Sequence, residues 1–193
     1  PPEVRLPVRL LILASASPRR ARILESLGLP FVVRPADVDE SLGRGEAPEI
    51  AVRRLAKRKA RVLPRGPGDC VIAADTVVVL GRRILGKPKD ARAARAMLRD
   101  LSGRTHAVTT GVAVAWDEKI VTTVDVTEVR FRRMSEREIA RYVRTGEPLD
   151  KAGAYHIEGG GAAFIEVIRG SPSNVAGLSV TSARRLLKRA GFG

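Results

Sequence analysis

Apolar and polar positions along the chain fall into short blocks of two different periods. Leu10–Ala14 is an unbroken apolar run and predicts a buried strand. It gives way to Ser15, Ser17 and Pro18, then to a segment with Ile23, Leu24 and Leu27 on one side. That spacing predicts a helix over Arg19–Gly28. Phe31–Arg34 predicts a short second strand, and Ala36–Ala47 an acidic, glycine-containing loop. Pro48–Leu63 predicts a helix, with Ile50, Leu55 and Leu63 among its apolar positions, broken by Pro64–Gly68. Val71–Leu80 is the most hydrophobic segment and predicts a central strand. Gly81-Arg82-Arg83 is a tight turn from which Ile84–Leu85 returns. Ala91–Leu101 predicts a helix closed by Ser102-Gly103. His106–Trp116 and Ile120–Phe131 predict two long strands, joined as a hairpin through Asp117-Glu118-Lys119. Ser135 and Glu138 form a capping box that opens a helix to Arg144. Gly146–Gly161 predicts a glycine-rich loop, Ala162–Ile168 a last strand and Thr181–Ala190 a last helix. Strands alternate with helices, so the pattern predicts an α/β fold. No repeat or long linker divides the chain, and one domain over 1–193 is expected.

Composition narrows the class. Hydrophobic content of 44% suffices for a packed core. No run of 18 apolar residues exists, which excludes a spanning helix. Pro1–Pro7 lacks the pattern of a signal peptide. The single cysteine, Cys70, excludes an internal disulfide, fits a cytoplasmic location and reads as a buried strand thiol beside Val71 and Ile72. The net charge is +14, and 28 of the 35 basic residues are arginine. They are spread from Arg5 to Arg189, with few aromatics to stack on bases. Dedicated nucleic-acid binding is therefore not expected, and a small polyanionic substrate accounts for the charge equally well.

Candidate chemistry sits at a few places. After the first strand, free helix N–H groups gather with Ser15, Ser17, Arg19 and Arg20. Such a helix start suits phosphate, although a capped surface helix has the same pattern. Asp75 lies inside an apolar strand, where a carboxylate needs a partner. It reads as a metal ligand, a general base or an acceptor for a neighbouring loop. Asp37, Asp39 and Glu40 supply hard oxygens suited to Mg²⁺, or simply a solvated loop. Lys57 and Lys59 belong to a basic helix, and Lys87 sits in a stiff Gly-Lys-Pro turn. The Gly146–Tyr155 segment and Gly159-Gly160-Gly161 let a flat ligand approach the backbone. His106 and His156 lack metal-ligand spacing and read as structural.

Taken in order, Leu13–Arg20, Val38–Glu40, Leu55–Ala60, Ala73–Val78, Leu85–Pro88, Leu101–Gly103 with His106, Thr110–Gly111, Glu147–Tyr155 and Asn174–Leu178 resemble the Maf family of nucleoside triphosphate pyrophosphatases. The resemblance implies a mixed, curved sheet flanked by helices, with two lobes around a deep cleft. It implies hydrolysis of a nucleotide to its monophosphate and pyrophosphate. Carried over by position, Ser15, Arg19 and Arg20 match the phosphate-binding serine and arginine pair. Glu40 matches the loop glutamate, Lys59 and Lys87 the two lysines, and Asp75 the catalytic aspartate. Asp75 and Glu40 are then the expected metal ligands, for Mg²⁺ first and Mn²⁺ or Co²⁺ as alternatives.

Ser-Pro-Arg-Arg, Ala-Asp-Thr with Thr76, and the Asp150–Tyr155 stretch with Lys151 resemble the branch acting on dTTP and UTP. Glu158 departs from that branch, where a glutamine is usual, and resembles the branch acting on 7-methyl-GTP. A carboxylate only accepts, so Glu158 is expected to relax the choice of base. Members of the family are often dimers, so the resemblance makes a homodimer possible. A 7-methyl-GTP pyrophosphatase and a non-catalytic, nucleotide-sensing regulator of cell division are the competing readings.

Overall fold

A computed structural model describes residues 9–192. The Pro1–Pro7 segment, read above for a targeting signal, lies outside the described residues. Strands β1 (Leu11–Leu13), β2 (Val32–Val33), β3 (Cys70–Leu80), β4 (Arg83–Leu85), β5 (Thr105–Trp116), β6 (Lys119–Phe131) and β7 (Ile165–Arg169) form one mixed sheet. Its order is β2-β1-β3-β5-β6-β7, with β4 pairing β3. β1 is parallel to β2 and β3, and the other pairs are antiparallel. The helices are α1 (Pro18–Glu25), α2 (Pro48–Val62), α3 (Ala91–Leu101), α4 (Glu136–Arg144), α5 (Pro172–Val175) and α6 (Val180–Arg189).

The elements follow from their residues. β-branched and small apolar side chains bury both faces of β3. Pro18 and Pro48 open α1 and α2, where a missing N–H costs nothing. Ser135 and Glu138 form the expected capping box on α4. Three differences from the sequence reading stand out. The 146–164 region winds into three short 3₁₀ turns, so β7 begins at Ile165 rather than Ala162. Ile50 points to solvent, because Ala51, Val52, Leu55 and Ala56 form the buried face of α2. The short helix α5, absent from the periodic pattern, is capped by Ser171.

Two lobes share the long strands. Alternate residues of β1, β3 and β5 face α1 and α6 on one side, through Leu13, Ile72 and Val114. Their neighbours Ile12, Val71 and Ala113 face α2 on the other. The second half of β3 and the first half of β5 join α3 and α4 around Phe131, Tyr142 and Tyr155. In that lobe His106 Nε2 lies 2.9 Å from the Tyr155 hydroxyl, and burial lowers the histidine pKa to about 4. Cys70 is buried and its thiol pushed up to about 12 by burial.

The sheet has a gap where the lobes meet. β1 pairs with β3 as far as Ile72, and β4 begins pairing at Val78. The stretch 73–77 of β3 has no strand partner on that side among the described residues. Asp75 sits in the gap, opposite Gly111 on β5. A Cβ on Gly111 would lie 2.4 Å from the Val52 carbonyl oxygen. The glycine therefore lets the α2 backbone rest directly on the sheet, two turns before Lys59. Gly111→Ala is expected to destabilise the chain by roughly 1–3 kcal/mol, the usual cost of overpacking. Chemical denaturation measures it, and an unchanged midpoint would contradict the close approach.

Candidate active site

The gap opens into a cleft of about 530 Å³, lined from both lobes. Six basic and three acidic side chains line it, so its balance favours a polyanion. Among the residues singled out in the sequence, Ser15, Arg19, Arg20, Glu40, Lys59, Asp75, Thr76, Lys87 and Lys151 all face it.

The period of two places Asp75 on the α2 side of β3 and Thr76 on the other. Lys59 reaches Asp75 from α2, with its Nζ 2.6 Å from Oδ1. The same nitrogen lies 2.7 Å from Glu40 Oε1. Lys59 and Asp75 are buried, while the Glu40 side chain is about half exposed. One ammonium therefore holds two carboxylates that come from a strand and a distant loop. Burial pushes the Glu40 carboxyl up, but the hydrogen bond to Lys59 and the charges of Lys59, Lys87 and Arg20 outweigh it. The net effect holds Glu40 below its ordinary value, ionised at neutral pH.

Arg20 sits on the other face. Its Nε donates to the Gly177 carbonyl at 2.8 Å, Nη2 to Thr76 at 3.2 Å and Nη1 to Ser15 at 3.4 Å. Thr76 meets Thr110 at 2.9 Å, and Thr110 donates to the Asn174 carbonyl. Arg20 thus ties α1 to β3 and the α5 turn, as well as lining the cleft. Burial lowers its pKa and that of Arg19. Arg19, half-buried, makes no hydrogen bond or ion pair among the described residues.

Lys87 is exposed at the cleft and likewise without an ion pair among the described residues. Lys87→Ala should lower kcat/KM roughly 10- to 100-fold, the value of one charge-assisted hydrogen bond. The thermal midpoint should not move. Unchanged steady-state kinetics would place the substrate's phosphates elsewhere.

Several expectations change. Glu158 stands at the rim of the cleft: its exposed carboxylate lies 3.0 Å from Arg22 and 3.7 Å from His156, both of which line it. An available guanidinium on α1 captures it. His156, read as structural, lines the cleft instead. Asp39 and Asp37 lie outside the lining, and Asp39 is spent accepting from Ser41. Lys151 is paired with Asp150. Tyr155, Val108 and Gly177 also line the cleft. The Glu147–Tyr155 and Asn174–Leu178 motifs contain the first and last of these, and no motif contains Val108.

The glycine-rich loop is held by Glu147. Its carboxylate accepts from Tyr142 at 2.6 Å, and from the amides of Gly160 and Gly161 at 3.1 and 3.4 Å. The His156 amide donates to Tyr142 Oη at 3.0 Å. A Cβ on Gly159 would strike Glu147 at 2.5 Å, which explains a glycine there.

Two carboxylates on one side of the cleft give the donor set that Mg²⁺ usually takes from a protein, with phosphates supplying the rest. Asp75 and Glu40 fit that role, as hard oxygen donors held on one cation. No group of three acidic, histidine or cysteine side chains suited to a metal occurs among the described residues. No helix among them is long and apolar enough to cross a membrane.

The model of the Maf-like protein family matches residues 10–190. A protein named dTTP/UTP pyrophosphatase from Anaeromyxobacter dehalogenans is 53% identical over 186 residues, covering 94% of each chain. One of the same name from Myxococcus xanthus is 52% identical over 184 residues, covering 95% of this chain and 93% of its own. Among solved structures, a HAM1 protein from Coxiella burnetii superposes with a TM-score of 0.50 at 15% identity. It covers 94% of this chain and 99% of its own, a likeness of fold.

Proposed function

The chain belongs to the Maf family, and on that premise we propose that it is a nucleotide pyrophosphatase hydrolysing dTTP and UTP to the monophosphate and pyrophosphate. One observation carries the reading: Lys59 holds Asp75 and Glu40 together, at 2.6 and 2.7 Å, inside a basic cleft. A groove that only binds nucleic acid has no need of two carboxylates beside a polyanion. The high identity to relatives of that name supports the choice of substrate.

The steps follow from the side chains. Ser15, Arg19, Arg20 and Lys87 bind and orient the triphosphate, which is the larger part of catalysis in phosphoryl chemistry. Asp75 orients a water and accepts its proton at a carboxylate oxygen as the water attacks the α-phosphorus. Pyrophosphate leaves, its charge met by the basic residues. Asp75 and Glu40 would hold a divalent cation, Mg²⁺ first, which when bound neutralises phosphate charge. Thr76 and Lys151 complete the substrate contacts, and the whole chain works as one domain. A nucleotide-pool substrate supports a cytoplasmic location.

The test is pyrophosphate release from UTP, dTTP, CTP, GTP and 7-methyl-GTP, each with Mg²⁺, Mn²⁺ and Co²⁺. UTP and dTTP should have the highest kcat/KM. A preference for 7-methyl-GTP would assign the other branch. Absence of turnover with every nucleotide would leave only a nucleotide-sensing role.

A further inference from the structure

Glu40 stands in a stretch, 34–47, without helix or strand, and its side chain is about half exposed. A partly exposed ion pair to Lys59 holds such a loop weakly. The loop is nonetheless tied down on both sides of Glu40 by one helix. Arg58 Nη1 donates to the carbonyl of Asp39 at 3.2 Å. Arg54 Nη2 donates to the carbonyl of Ser41 at 3.1 Å. Arg54 also grips Glu46 with both prongs of its guanidinium, Nε and Nη2, each at 2.7 Å. Glu46 in turn accepts from the Gly43 amide at 2.9 Å. Asp39 closes the near end by accepting from the amide and hydroxyl of Ser41, both at 2.9 Å.

We propose that Arg54 and Arg58 are positioning residues for Glu40, holding the backbone before and after it against α2 so that its carboxylate meets Lys59. The two arginines are one helical turn apart on α2, and Lys59 follows Arg58 directly. One rigid helix therefore carries both the clamp and the ammonium to which the clamped carboxylate is delivered. The bidentate fork explains arginine rather than lysine at 54, since an ammonium offers no matched pair of donors for a carboxylate. The Arg54 bond holds the Glu46 carboxyl down at about 2, so this carboxylate stays ionised well below neutral pH.

This inference rests on Glu40 acting in catalysis, and the experiment separates the two. Arg54→Ala, Arg54→Lys, Glu40→Gln and the double variant Arg54→Ala/Glu40→Gln are compared with wild type. Amide hydrogen exchange over 39–46 is measured without nucleotide, and kcat/KM is measured for UTP. Arg54→Ala should speed exchange in 39–46 at least about tenfold and lower kcat/KM roughly 10- to 100-fold, the cost of misplacing a catalytic group. Arg54→Lys should behave similarly, and its thermal midpoint shows whether the fold is intact. In the Glu40→Gln background, Arg54→Ala should cost little more, because the group it positions is already gone. Additive losses, or unchanged exchange in 39–46, would overturn the clamp and leave the proposed function standing. Full activity of Glu40→Gln would remove the catalytic role of Glu40, and the clamp's purpose with it.

Discussion

Asp75→Asn is expected to lower kcat/KM at least about 100-fold, the value of a general base, while the protein stays folded. Asp75 is the carboxylate in the sheet gap, buried and 2.6 Å from Lys59. Asparagine has the same shape and still offers an oxygen to Lys59. It cannot take a proton from water, and it binds a divalent cation poorly. Lys59 keeps Glu40 as a counter-ion at 2.7 Å, so no bare charge is left inside the fold. Steady-state kinetics and thermal melts of the two proteins decide the matter. Turnover within about threefold of wild type would remove Asp75 from the chemistry.

Lys59→Met should cost both stability and activity, although it touches the same ion pair. Removing the cation strands Asp75, a buried carboxylate left without an ion-pair partner among the described residues. Breaking a buried pair from one side typically costs about 3–5 kcal/mol. For a chain of this length that is a fall of roughly 6–20 °C in the thermal midpoint. The Glu40 carboxyl should also titrate higher, because burial raises it and the Lys59 contacts that outweighed burial are lost. The ionised Glu40 of the wild type persists to lower pH, so the acid limb of any residual activity should move upward in the variant. A melt equal to wild type would show that water reaches Asp75 freely. The contrast between the two substitutions is itself informative: a triad of one cation and two anions tolerates loss of one anion better than loss of the cation.

Arg20 illustrates a shared duty. Its guanidinium is engaged by Gly177, Thr76 and Ser15 before any ligand arrives. Its contribution to phosphate binding comes with a fixed orientation, and it costs little ordering on binding. Arg19 and Lys87 differ, being without such partners among the described residues. They are the groups whose side chains have most to lose in freedom, and most charge to offer, when a triphosphate enters.

What the sequence determined by itself is what neighbours along the chain decide. The two hydrophobic periods placed nearly every strand and helix, and proline and serine marked where helices begin. The ordered motifs named the family and brought Ser15, Glu40, Lys59, Asp75 and Lys87 forward as a set. What only the tertiary structure decided depends on groups far apart in the chain. The gap at 73–77 of β3 exists because β1 ends early and β4 begins late, which no local pattern of β3 records. The approach of α2 to Gly111 joins segments about 60 residues apart, through a missing side chain rather than a present one. Glu158 carries no local sign that its carboxylate lies against Arg22 on α1 and beside His156 at the cleft. Arg54 and Arg58 belong to the same basic helix as Lys57 and Lys59, and only the 39–46 loop folded onto it supplies their partners. A side chain's direction is set by backbone period, but its partner is set by packing, and packing is a property of the whole chain.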